Sequence, residues 1–181
     1  METEGTIEPD TKDWTWVLSS ACPECGFDPT EVNAADLPDL FHQNTRGWYA
    51  ALDGPDAATR PSPGVWSPLE YACHVRDVHR LFAERLTLML EQDDPLWADW
   101  DQDATAVESR YAEQDPATVS VELVEAAADV AALYAQVRDD QWQRPGRRSN
   151  GSVFTVETLG TYHLHDVHHH LHDVGRGSVT A

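Results

Sequence analysis

Four segments of this 181-residue chain carry apolar side chains at the three- and four-residue spacing of one helix face. Each segment must bury its apolar stripe, and four such stripes are enough to enclose a common core. The segments cover residues 37–52, 68–92, 116–137 and 155–174. The connections between them contain no convincing strand pairs. The pattern therefore predicts an all-α protein that folds as a four-helix bundle.

Local start signals agree with these boundaries. The sequence SPLE, which begins at Ser67, combines an N-cap serine, a proline in the first helical position and a glutamate placed for a capping box. Asp36 is the predicted N-cap of the first helix, and Asp115 followed by proline opens the third. The second helix thus has the most sharply defined start.

The rest of the chain divides around this bundle. The predicted parts are an extended N-terminal arm over 1–33, the bundle over 34–175 and a C-terminal tail over 176–181. A long acidic loop, residues 93–115, connects the second and third helices. Loops of this length in a compact domain usually cover something, so we expect this one to lie over a functional region.

Charge and hydropathy restrict the partners. The chain carries 32 acidic and 12 basic residues, which give a formal charge of −20. Such a surface repels the phosphates of nucleic acids and anionic membranes, so neither is an expected partner. The acidic N-terminus does not resemble a signal peptide, and no apolar run is long enough to cross a bilayer. We expect a cytoplasmic protein.

The fourth helical segment contains six of the nine histidines within ten consecutive positions. On a helical wheel, four of them fall within an arc of about 100° beside the apolar strip. These are His165, His168, His169 and His172, whereas His163 and His170 point the other way. The run is therefore expected to form one polar flank of a buried helix.

This flank predicts a metal site. His165 and His169 are four residues apart, so both rings lie on the same side of the helix and can bind one ion. His74 lies on the apolar face of the second helix and is the expected third ligand. Three imidazoles suit Zn²⁺, Ni²⁺ or Fe²⁺ and leave room for water. His42 and His79 are expected at the surface.

Further residues are candidates for this site or for another. His168, His172 and Asp166 are possible additional ligands or supporting residues. Cys22 and Cys25 form a single C-x-x-C motif, which is half of a zinc site, a redox pair or an incidental reduced pair.

A family resemblance follows from these residues. The segment WSPLEYACHVRDV, together with a last helix that bears H-x-x-x-H, resembles the DinB-like superfamily, which includes mycothiol-dependent maleylpyruvate isomerases. The resemblance covers about 34–175, and the segments CPECGFD and WADWDQDATAVESRYAEQD are similar to an actinobacterial branch. In that family the corresponding histidines bind a divalent metal, often zinc or nickel. The resemblance implies that His74, His165 and His169 do so here.

The resemblance implies a metal-dependent transferase or isomerase that uses a small thiol such as mycothiol, with a small-molecule substrate. One alternative is a hydrolase with metal-bound hydroxide. Another is a non-enzymatic metal-binding stress-response protein, with a homodimer as its candidate assembly. Candidate acids or bases for the hydrolase are Glu70, Asp77, Asp101 and Asp166.

Other residues are candidates for substrate contact. Trp66 and Trp100 are expected either near the mouth of the site or as packing anchors. Four arginines offset the acidic surface locally or serve as ordinary surface charges: Arg76, Arg80, Arg147 and Arg148.

Overall fold

The computed structural model describes residues 7–175, so the predicted tail over 176–181 lies outside the described residues. The helices are α1 (Leu37–Leu52), α2 (Pro68–Glu91), α3 (Gln102–Glu108), α4 (Pro116–Tyr134) and α5 (Val156–Asp173). The four long ones, α1, α2, α4 and α5, coincide with the four predicted segments. The predicted four-helix bundle is therefore confirmed.

Helices α4 and α5 each pack against both α1 and α2. The consecutive helices α1 and α2 consequently lie across the bundle from one another. The shared core includes Phe41 of α1, Leu86 of α2, Leu123 of α4 and Leu164 of α5. Within residues 7–175, none of the helices combines the length and apolarity needed to cross a membrane.

Three short strands lie at one end of the bundle, where no strand pairs were predicted. They are β1 (Leu96–Trp97), β2 (Pro145–Arg148) and β3 (Val153–Thr155). Strand β2 pairs in parallel with β1 and antiparallel with β3. Strands of two to four residues are too short to produce a recognisable alternation of polar and apolar side chains. The sheet ties the α2–α3 connection to the start of α5.

The helix starts use side-chain caps at most of the predicted positions. Ser67 Oγ accepts from the Glu70 N–H at 3.2 Å, and the Glu70 carboxylate accepts from the Ser67 N–H at 2.9 Å, which completes the capping box. Asp115 likewise caps α4. Asp36 makes no capping bond, so that prediction is wrong. A 3-10 turn precedes α1 instead, and Asn33 caps that turn.

The N-terminal arm lies along α5. It contains a 3-10 turn at Thr15–Leu18 and buries Val17 and Cys22 completely or almost so. The Trp14 indole lies 5.0 Å from the His169 ring. The arm thus covers the histidine flank of α5, where it forms part of the site described below.

The acidic loop between α2 and α4 covers the second helix. It is not uniformly irregular, since it contains β1, α3 and a 3-10 turn. The Trp100 ring stacks on the His74 ring at 5.3 Å with an interplanar angle of 10°. The Trp100 Nε1–H donates to Thr105 Oγ1 at 2.8 Å, which fixes the indole in this position.

His79, which was expected at the surface, is buried, and so is His163, which was expected to point away from the polar flank of α5. His79 and His163 are both 0% exposed, and His163 Nε2 lies 3.0 Å from His79 Nδ1. Burial lowers the pKa of His79 to about 3, so the ring stays neutral and one imidazole donates to the other. His79 is enclosed because α5 packs against the side of α2 that carries it.

We expect the stability lost on replacing both histidines of this pair to be smaller than the sum of the losses on replacing each one alone. His79→Leu or His163→Leu alone leaves a buried ring nitrogen without its partner and should reduce the free energy of unfolding by about 1–3 kcal/mol. The double variant should lose less than the sum, because neither polar group then remains. Urea unfolding of all four proteins measures this, and strictly additive losses would contradict the pairing.

The Glu70 carboxylate predicts a pH-dependent contribution to stability. Burial favours its neutral form, but Arg60 and the Ser67 cap outweigh burial and hold the Glu70 pKa below its ordinary value of 4.5. Because the folded-state pKa is the lower one, the stabilisation is present above pH 4.5 and is lost as the pH falls below it.

Glu70→Gln should therefore reduce the free energy of unfolding by about 1 kcal/mol at pH 7, a value discounted for the partly exposed Arg60. The difference from the parent should shrink as the pH falls below 4.5. Glu84→Gln, at an exposed position of the same helix, is the control. Urea unfolding at pH 7 and at pH 4 is the measurement. A loss that does not change with pH would rule out the ionic contribution.

Candidate metal centre

Two groups of potential metal ligands include residues of α5 in the part of the chain that the structure describes. The first comprises His74, Asp166 and His170, and the second comprises Cys22, Cys25, His165 and His169. Within each group, one donor atom per residue lies within 4.8 Å of all the others. Both groups use a pair of residues four apart on α5, and the two pairs differ by one position. One helix therefore contributes to two adjacent clusters.

The first group surrounds a single point between α2 and α5. Asp166 Oδ1 lies 3.6 Å from His74 Nε2 and also 3.6 Å from His170 Nε2. The two imidazole rings are perpendicular, with centroids 4.7 Å apart. Ligands about 2.0–2.1 Å from a tetrahedral ion lie about 3.4 Å from one another, so these separations suit a shared ion. They are too long for direct hydrogen bonds.

Unpartnered buried atoms support the same interpretation. Both ring nitrogens of His74 and the Oδ1 atom of Asp166 are buried and form no hydrogen bond. His74 is 0% exposed, so it is completely enclosed by protein. Leaving such groups unsatisfied costs about 1–3 kcal/mol each. A cation between them would satisfy a His74 nitrogen and the Asp166 oxygen together.

The protonation states of His74 and Asp166 suit metal binding, which requires a neutral imidazole and an ionised carboxylate. Burial lowers the pKa of His74 and so favours its neutral form. Burial opposes the ionisation of Asp166, but the neighbouring His74 and His170 outweigh burial and hold the pKa of this carboxyl well below its usual range. At neutral pH, Asp166 is a carboxylate. Burial lowers the pKa of His170, but the hydrogen bond to Asp173 and the charge of Asp166 outweigh burial and raise this pKa, so an ion would have to displace a proton from that ring.

A carboxylate orients the third ligand. His170 Nδ1 lies 3.0 Å from Asp173 Oδ2, so the ring donates its Nδ1–H to Asp173. The Nε2 atom of the same ring then faces Asp166 at 3.6 Å. Histidines that bind metals are commonly held in this way by a carboxylate. Asp173 was not among the predicted residues, although its spacing of three from His170 was visible in the sequence.

Aromatic side chains surround the first group. Trp66 lies 5.5 Å from the His74 ring, and Tyr71 lies 5.4 Å from the His170 ring. Together with Trp100, they line a cavity of about 830 Å³ that also includes Asp166 and His170. The expectation that Trp66 and Trp100 lie near the mouth of a site therefore agrees with the geometry.

The structure does not bring the three predicted histidines into one group. His165 and His169 lie beside the two cysteines of the arm, where Cys22 Sγ is 3.7 Å from His169 Nδ1. His74 instead faces Asp166 and His170. The one-residue shift arises because the arm occupies the side of α5 that carries His165 and His169. A helical wheel gives the direction of each side chain about the axis of its own helix. It does not show which other segment of the chain packs in that direction.

The histidines predicted as additional or supporting ligands, His168 and His172, lie outside both groups. His168 Nε2–H donates to the Cys25 carbonyl at 3.3 Å, so this ring fastens the arm to α5. His172 is exposed, as is His42. None of these three rings belongs to either group among residues 7–175.

The four acid or base candidates are likewise separated. Glu70 pairs with Arg60 and caps α2. Asp77 accepts a 2.6 Å hydrogen bond from the Tyr111 hydroxyl. Only Asp101 and Asp166 of these candidates line the cavity.

The arginines are divided in the same way. Arg76 donates to Glu122 at 2.7 Å, and Arg80 lies 3.4 Å from Asp77, both away from the cavity. Arg147 pairs with an aspartate of the α2–α3 connection. Arg148 alone of the four arginines lines the cavity.

Comparison with solved structures supports the fold. YfiT from Bacillus subtilis, described as a probable metal-dependent hydrolase with an unusual four-helix bundle topology, matches with a TM-score of 0.71. The match covers 83% of this chain and 92% of that one at 21% sequence identity. At this level of identity the likeness establishes a shared fold.

Sequence comparison establishes the family. No curated protein matches this chain significantly. The family model of the DinB superfamily matches residues 39–174, which include α2, α4 and α5, both α5 pairs and all but the first two residues of α1. This agrees with the resemblance carried by the second and last helices. The chain belongs to the DinB superfamily.

Proposed function

We propose that this protein is a metal-dependent hydrolase whose divalent ion is held by three side chains at the base of the cavity. Those side chains are His74, Asp166 and His170. The observation that carries the proposal is the convergence of unpartnered His74 and Asp166 atoms beside an 830 Å³ cavity. The description of YfiT as a probable metal-dependent hydrolase supports the same class.

The donor set suits a catalytic ion. Two imidazole nitrogens and one carboxylate oxygen bind Zn²⁺ or Ni²⁺ well and also suit Fe²⁺. With three protein ligands, at least one position stays open toward the cavity. An ion there would lower the pKa of water and polarise a carbonyl group of the substrate.

The surrounding residues would position and protect the reacting groups. Asp173 holds the His170 ring through its 3.0 Å hydrogen bond. The stacked Trp100 ring and the nearby Trp66 ring shield His74 from solvent. Asp103 lines the same cavity, and burial raises its pKa.

The cavity charge restricts the substrate. Acidic side chains outnumber the two basic lining residues, Lys12 and Arg148. An anionic substrate would be repelled by this lining, whereas a neutral or cationic one would not. The aromatic rings of Trp66, Tyr71 and Trp100 provide flat apolar contacts for it. We therefore propose a neutral or cationic ester or amide as the substrate class.

A thiol-dependent transferase or isomerase is the second candidate. Its support is the size of the cavity, since 830 Å³ is enough for a small thiol beside a second molecule. The ion would then lower the pKa of the thiol instead of that of water. Mycothiol remains the thiol that the family resemblance predicts.

Metal content tests the ligand set. Untagged protein is stripped with a chelator, reloaded with Zn²⁺ and analysed by mass spectrometry for ions per chain. Asp166→Ala and His170→Ala should each bind one ion fewer than the parent. His172→Ala, an exposed histidine on the same helix, is the matched control and should bind as the parent does. Unchanged stoichiometry in the first two variants, with loss of one ion in both His74→Ala and His165→Ala, would instead support the three-histidine set predicted from the sequence.

Turnover tests the reaction. The zinc-loaded parent should hydrolyse members of a panel of neutral and cationic esters and amides. Asp166→Ala should lose activity about 100-fold or more, because even outer partners of metal ligands change activity by 10–100-fold. Turnover of an electrophile only when mycothiol is present would select the transferase. Full metal binding without either reaction would favour the non-enzymatic alternative.

A further inference from the structure

The N-terminal arm and α5 together contain a second set of metal-binding residues. We propose that this set is a structural zinc site, distinct from the metal centre at His74. Its ligands are Cys22, Cys25, His165 and His169. The site would fasten the arm to the bundle.

The spacing of the donor atoms suits zinc. Cys22 Sγ lies 3.7 Å from His169 Nδ1, and the four donors all lie within 4.8 Å of one another. With zinc–sulfur bonds of about 2.3 Å and zinc–nitrogen bonds of about 2.0–2.1 Å, a tetrahedral site separates sulfur from nitrogen by about 3.6 Å. Two cysteines and two histidines are a common ligand set for structural zinc.

The arm is shaped so that both sulfur atoms face α5. The Gly26 N–H donates to the Cys22 carbonyl at 2.9 Å, and the Cys22 N–H donates to the Phe27 carbonyl at 2.7 Å. Gly26 has a φ of +76°, a left-handed conformation that glycine adopts most readily. This tight turn places Cys25 on the same side as Cys22.

Burial leaves few other partners for these side chains. Cys22 is 1% exposed and His165 is 3% exposed. The Nε2 atom of His165 is buried and has no hydrogen-bond partner. Trp14 and Phe27 pack against the His165 ring at 5.6 and 5.3 Å. A bound cation would account for the burial of this nitrogen without a hydrogen-bond partner.

The carboxylates near His169 have the position expected of supporting groups. His169 Nε2 lies 3.6 Å from Glu24 and 3.8 Å from Asp173, while its Nδ1 faces Cys22. The ring therefore presents one nitrogen to the cluster and the other to acidic groups, as metal-binding histidines commonly do. Four protein ligands leave no open position, so the site is structural and not catalytic.

A redox function explains less of this geometry. A disulfide between Cys22 and Cys25 would involve only two of the four converging residues. The buried His165 nitrogen would still have no partner. A zinc ion instead uses all four residues, and its charge is balanced by the two thiolates.

The proposed zinc would also shape the metal centre nearby. The arm from Ile7 to Trp14 lines the same cavity as His170. Holding Cys22 and Cys25 against α5 fixes the position at which this part of the arm crosses the cavity. The second site would thus support the wall of the first without contributing a ligand to it.

Cobalt substitution tests the site, because thiolate ligands give cobalt an intense sulfur-to-metal charge-transfer band. Reduced, metal-free protein is titrated with Co²⁺ under anaerobic conditions. The parent and Asp166→Ala should both develop the band. Cys22→Ser and Cys25→Ser should lose it and bind one ion fewer. Cys73→Ala is the matched control, because this third cysteine is buried and belongs to neither group.

X-ray absorption at the zinc edge provides a measurement that does not depend on how the cysteine variants fold. Zinc-loaded Asp166→Ala should show two sulfur and two nitrogen neighbours. A spectrum with no sulfur neighbours, or a cobalt band that persists in both cysteine variants, would overturn the proposal. Reduced parent protein that binds no ion beyond the one lost in Asp166→Ala would overturn it as well. In that case the proposed function at His74 would be unaffected.

Discussion

The burial of imidazoles between α2 and α5 is the constraint on which the rest of the structure depends. Each ring nitrogen removed from water needs a hydrogen bond or a cation in its place. His79 and His163 satisfy part of this need through each other at 3.0 Å. His79 Nε2 and His163 Nδ1 stay buried without partners, as do both ring nitrogens of His74 and Nε2 of His165. The proposed ions belong at His74 and His165, because further donor atoms converge only there among the described residues.

The order of helices makes this arrangement possible. Because α5 packs between α1 and α2, its apolar strip faces the core while its two flanks meet different neighbours. One flank meets α2 and the loop that carries Trp100. The other meets the arm that carries Cys22 and Cys25. A single helix can therefore contribute to both proposed sites through two pairs of residues that differ by one position.

Much of the fold could be predicted from local signals. The capping box at Ser67 and the apolar spacing of the four segments depend on neighbours within a few residues, so they were visible in the sequence. The Asp36 cap failed because a preceding 3-10 turn changes the start of α1. The three strands escaped detection because strand pairing joins segments far apart in the chain and each strand is very short.

The sequence by itself determined the bundle, the inward position of His74 and the presence of paired ligands four residues apart on α5. Only the tertiary structure decided that Asp166 and His170 face His74 while His165 and His169 face the cysteines. Helical periodicity defines the angle of a side chain about its own axis. The segment that packs against a side chain at that angle is decided by contacts between parts of the chain that are distant in sequence. Adjacent residues of α5 therefore belong to different groups of ligands.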